Sequence, residues 1–160
     1  MASIKPPMSA RKQQDEMQPM KIALLEDDLR RVRQMVRLLQ EFFPEYSVTS
    51  FDNAPDMINW LADNLNEVKL ICLDHDLGAN RVLTEKTQDP GTGRDVADYL
   101  GTLEPTCPVL IHSSNVMAAP GMMMVLEDAG WPCSRLSPFN DLEWVRDAWI
   151  ADVREALRKR

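Results

Sequence analysis

An α/β fold, a parallel sheet with helices on both faces, is what this sequence predicts. Short apolar runs alternate five times with longer segments of helical periodicity. The runs lack polar alternation, most plainly in Lys69–Leu73, which suits strands buried on both faces. The 160 residues make one domain with room for a full core, and no repeat or linker divides them. In open parallel sheets ligands bind beyond the carboxyl ends of the strands. Three of the apolar runs end there in polar clusters.

In chain order, residues 1–19 carry Pro6, Pro7 and Pro19 among polar residues without periodicity, and are expected to form a flexible tail ahead of a domain at 20–160. Lys21–Leu25 is the first strand. Leu29, Val32, Met35, Val36, Leu39 and Phe43 then recur at helical spacing until Pro44 stops the helix. Tyr46–Phe51 is the second strand. Asn53 is placed to cap a helix with Pro55 and Asp56 in its first turn and Ile58, Leu61 and Leu65 inward. After the third strand, Asp89–Gly93 is turn chemistry. Helix three is expected over Arg94–Leu103, strand four over Val109–Ile111 and helix four over Met122–Ala129, ended by Gly130. Ser134–Leu136 is a weak fifth strand. The last helix is expected to start at Asn140, with Glu143 completing a capping box.

Composition narrows the function classes. A formal net charge of −7 argues against binding double-stranded DNA or other nucleic acid through bulk charge. No apolar run has membrane-spanning length, and the first residues lack the apolar core of a secretory leader. Cys72, Cys107 and Cys133 are odd in number and widely spaced, which suits reduced thiols in a cytoplasmic protein, Cys72 being a core residue. No DNA-binding output domain is expected after the last helix.

The polar clusters carry the chemistry. They are Glu26-Asp27-Asp28, Asp74-His75-Asp76 and His112-Ser113-Ser114-Asn115. If their strands are neighbours, all three meet in one crevice. Carboxylates crowded together repel one another, and a divalent cation relieves the repulsion. Hard oxygen donors favour Mg²⁺. Each cluster also has a plainer reading: the first as a helix N-terminus, the second as turn residues, the serines of the third as caps. Both histidines of the chain fall at these strand ends.

The pattern resembles the receiver domain of response regulators over roughly residues 20–157. The features are Leu24-Leu25-Glu26-Asp27-Asp28, Leu73-Asp74, Pro108–Ile111 followed by Ser113, and Ser137-Pro138-Phe139. The resemblance implies a flavodoxin-like sheet in strand order 2-1-3-4-5. It implies Mg²⁺ on Asp27, Asp74 and the backbone carbonyl of Asp76, with Glu26 acting through water. Asp74 is the implied phosphate acceptor, with Ser113 beside it. Two features depart from it: Ser137 stands where receivers carry a lysine, and the segment between Asp74 and Gly93 is long. Leu-Glu-Asp-Asp, Leu-Asp-His-Asp-Leu-Gly and His-Ser-Ser-Asn resemble a narrower group, the cyclic-phosphate-processing receivers.

Three readings follow. The first is a Mg²⁺-dependent enzyme acting on a cyclic phosphodiester, a small molecule or an RNA end. In it Asp74, Asp76 and Ser113 act at the phosphate, with Ser114 and Asn115 as further phosphate contacts. His75 and His112 are candidates for acid and base, and strand alternation raises the prospect that His75 turns away from Asp74 into the core. Arg81, Lys86 and Arg94 would close over an anionic substrate. The second is a signalling module phosphorylated on Asp74 by a phosphodonor kinase, with Met122–Met124 and an exposed Trp131 offering an adaptable surface. The third is a degenerate receiver that only docks.

Overall fold

The computed structural model describes residues 19–78 and 89–159. Most of the expected tail, and Arg81 and Lys86 of the long segment, lie outside the described residues. Among the described residues five strands form one sheet: β1 (Met20–Leu25), β2 (Tyr46–Phe51), β3 (Val68–Leu73), β4 (Val109–His112) and β5 (Cys133–Leu136). All pairings are parallel and the order is β2-β1-β3-β4-β5, the flavodoxin-like order the resemblance implied.

Strand alternation sorts the core into two layers. Ala23, Leu25, Ile71, Leu73 and Ile111 face one way, against α2 (Ala54–Asn64), α3 (Gly93–Leu100) and α4 (Ala119–Asp128). Ile22, Leu24, Leu70, Cys72 and Leu110 face the other, against α1 (Leu29–Phe42) and α5 (Ile150–Arg158). The inner strands are buried on both faces because each face meets a helix layer, so they read as unbroken apolar runs. Asn53 does cap α2, its side chain accepting from the Asp56 backbone N–H at 2.8 Å.

Several boundaries differ from expectation. Helix α3 stops at Leu100 and α4 begins at Ala119, with Pro120 in its first turn, where a missing N–H costs nothing. The final helix does not start at Asn140. Asn140 and Asp141 take left-handed backbone angles, φ 48° and 53°, and form a turn. A π-helical turn, Val145–Trp149, leads into α5. Trp131 is buried, not exposed; its indole N–H donates to the Leu100 carbonyl at 2.9 Å. Of the methionine triplet, Met122 is core, Met123 half-buried and Met124 exposed. Among the described residues no helix is long and apolar enough to cross a membrane.

Candidate metal and phosphate centre

The strand order makes β1, β3 and β4 neighbours, so their three polar ends converge. Glu26, Asp27 and Asp74 each offer a carboxylate oxygen within 4.8 Å of the others. The acids of the first cluster divide their work. Asp28 is the N-cap of α1, accepting from the Arg30 N–H at 2.9 Å and the Arg31 N–H at 3.4 Å. The helix-terminus reading thus holds for Asp28, while Glu26 and Asp27 face the centre. Gly78 donates its N–H to Asp27 Oδ2, drawing the segment after β3 towards β1.

The same alternation that sorts the core aims the polar residues. Leu25 and Ile111 belong to the α2–α4 layer, so Glu26 and His112 turn to the α1–α5 layer. Both are buried, and His112 Nε2 lies 3.1 Å from Glu26 Oε2. The imidazole stacks on Trp144 at 5.8 Å between centroids and meets the edge of Trp149 at 6.4 Å. Arg31 reaches Glu26 Oε2 from α1 at 3.7 Å. Burial alone would raise the Glu26 pKa. The His112 hydrogen bond and charge, the Asp28 N–H and Arg31 outweigh it and hold the carboxyl below its ordinary value.

Asp74 is in the opposite state. Burial first, and the charge of Glu26 second, push its carboxyl up to about 7, against the pull of His112, the His75 N–H and Arg31. Its Oδ1 accepts from that N–H at 2.7 Å. The backbone here is tightly packed: the Gly93 N–H donates to the His75 carbonyl at 3.0 Å. A methyl group on Gly93 would fall 1.9 Å from the Asp74 carbonyl oxygen. Only glycine lets α3 start this close to the end of β3.

His75 does not enter the core. Its ring sits half-buried at the rim, Nδ1 2.7 Å from Asp76 Oδ1. That hydrogen bond holds the Asp76 carboxyl below its usual range. Asn115 crosses from β4 to the same carboxylate, its Nδ2 donating at 3.1 Å, while its Oδ1 accepts from Met117 and Ala118. The amide expected to bind phosphate is therefore bonded to the protein at both ends. Ser113 is buried and accepts from the Asn115 N–H at 3.1 Å, which leaves its hydroxyl proton available as a donor. Ser114 is exposed. Arg94 pairs with Asp98 on α3 at 2.7 Å, and Arg135 Nη2 lies 3.5 Å from Ser137 Oγ.

The donor set fits a small divalent cation. Three hard carboxylates converge, and Asp74 is pushed up in pKa by burial and by neighbouring Glu26, a repulsion that a bound cation would relieve. Arg31 was hidden in the sequence as one arginine among four in a helix; nothing but the fold marks it as the one beside Glu26.

Residues 22–128 match the family model described as the cyclic-phosphate processing receiver domain. No curated protein matches the chain. Among solved structures it is similar to the phosphorylated cyanobacterial phytochrome response regulator RcpA. That match has 18% identity and a TM-score of 0.64, over 88% of this chain and 95% of that one. The response regulator domain of CheB from Thermotoga maritima is similar at 12% identity and a TM-score of 0.61, over 89% and 98% of the two chains. A response regulator receiver domain from Rhodospirillum rubrum gives 18% identity and a TM-score of 0.59, over 87% and 92%. At these identities the likeness is one of fold.

Proposed function

The chain belongs to the cyclic-phosphate processing receiver domain family, and from that premise we propose that it hydrolyses a cyclic phosphodiester at the Glu26-Asp27-Asp74 centre. The observation that carries this reading is the His75–Asp76 pair at the rim, joined at 2.7 Å beside three converging carboxylates.

Glu26, Asp27 and Asp74 would hold Mg²⁺, which supplies charge neutralisation and polarises a phosphoryl oxygen when bound. The protein's own groups do the rest. An Nδ1–H donated to Asp76 fixes the tautomer of His75 and leaves Nε2 as a base. His75 takes a proton from the attacking water, a P–O bond to the sugar breaks, and the leaving oxygen receives that proton. Ser113 donates its hydroxyl to a phosphoryl oxygen. His112 Nε2 is engaged with Glu26 and its ring packs against Trp144 and Trp149, so its role is to hold Glu26.

The test is incubation with Mg²⁺ and a 2′,3′-cyclic nucleotide. Turnover is expected. His75→Ala should lower kcat by roughly 10²- to 10⁴-fold, the usual worth of a positioned acid–base group. Absence of turnover, together with a stable gain of phosphate on Asp74 from acetyl phosphate, would overturn this reading. It would favour the second one, a receiver phosphorylated by a kinase, to which the fold likeness to response regulators lends support. Ser137, in the place of the receiver lysine, weighs against that second reading.

A further inference from the structure

We infer that Arg31 is the side chain that meets the phosphoryl oxygens at this centre, an inference that rests on the functional reading above. A phosphoryl group brought up to three carboxylates needs positive charge from the protein as well as from an ion. Several described candidates are already engaged or carry no charge. His112 is sealed behind Glu26. Arg94 is paired with Asp98, and Arg30 lies by Asp28 and Asp141. Ser137 brings no charge.

Arg31 is differently placed. Its backbone N–H is tied to the Asp28 cap, so its position in the first turn of α1 is set. Its guanidinium carbon sits 5.6 Å from the centroid of the buried Trp144 ring, a cation–π contact that holds one face. Its approach to Glu26 is an ion pair at 3.7 Å, too long for a hydrogen bond. Among the described residues no hydrogen bond uses its guanidinium donors. The side chain is 25% exposed, so an entering anion can reach it. A planar fork with unused donors, held by one face over an aromatic ring, suits two oxygens of a phosphate. Glu26 is shared between Arg31 and the proposed ion site. A bound ion would compete with Arg31 for that carboxylate, leaving the guanidinium donors for the phosphate.

That sharing predicts effects of opposite sign. In Arg31→Met, Mg²⁺ affinity measured by titration calorimetry should rise a few-fold, because Glu26 loses a competing cation. The KM for a 2′,3′-cyclic nucleotide should rise by about 10- to 100-fold, the worth of a charge-assisted hydrogen bond. Arg31→Lys should recover part of the KM. Arg33→Met, on the exposed side of α1, removes the same charge and should change neither value. Wild-type protein that binds Mg²⁺ yet ignores the nucleotide overturns the functional reading and this assignment with it. Wild-type turnover with an unchanged KM in Arg31→Met overturns the Arg31 assignment alone.

Discussion

His112 Nε2 and Glu26 Oε2 lie 3.1 Å apart, and neither side chain reaches solvent. A carboxylate at the edge of the ion site is thus held from behind by a group that substrate does not touch. Removing one partner of such a pair leaves an uncompensated charge in the interior. His112→Ala should lower unfolding stability by about 3 kcal/mol, read by urea denaturation. Saturating Mg²⁺ should narrow the gap, since the ion would bring positive charge beside Glu26. A variant as stable as wild type without Mg²⁺ would show that Glu26 does not depend on His112.

Asp74 makes stability fall as pH rises. Its carboxyl is pushed up to about 7 in the fold, against an ordinary value of 3.8, so the native state holds a proton that the unfolded chain releases. Below about pH 4 both states are protonated, and this group has no differential effect. Between about 4 and 7 the native state binds more protons, and its advantage is lost as pH climbs. The Asp74 contribution should therefore cost on the order of 4 kcal/mol by pH 8, at about 1.36 kcal/mol per pKa unit over the rise from 3.8 to about 7. Thermal unfolding across pH 5–8 should show Tm falling in metal-free protein and much less in Asp74→Asn. With excess Mg²⁺ the fall should disappear. A flat metal-free profile would contradict the burial of an acid beside Glu26.

Gly93 bears on the same centre through the backbone. A methyl group there would sit 1.9 Å from the Asp74 carbonyl oxygen and 2.9 Å from the Met122 side chain. Backbone cannot give way as a flexible side chain can. Gly93→Ala should cost at least about 3 kcal/mol, since overpacking against a fixed wall lies at the upper end of such penalties. It should also weaken Mg²⁺ binding, measured by calorimetry on whatever fraction remains folded. Full Mg²⁺ affinity in a stable Gly93→Ala protein would mean that α3 can retreat without disturbing Asp74.

Apolar runs such as Lys69–Leu73, and their alternation with amphipathic segments, were enough by themselves to specify a parallel sheet with two helix layers. Burial on both faces leaves no room for polar alternation, and that constraint is written locally. The three acidic or hydroxyl-bearing strand ends were legible for the same reason, because a strand that stops at the sheet edge stops being apolar. What each polar residue does there depended on groups remote in sequence. Asp28 caps a helix while Asp27 beside it faces the centre. His112 is turned towards Trp144 and Trp149, more than thirty positions later, and Asn115 reaches back to Asp76. The left-handed pair Asn140-Asp141 displaced a capping box that local chemistry alone would allow. Helical and strand periods are properties of a few neighbouring residues, whereas charge pairing and burial are decided by which elements the fold sets side by side. Arg31 came to matter only because the tertiary structure put α1, Glu26 and Trp144 together.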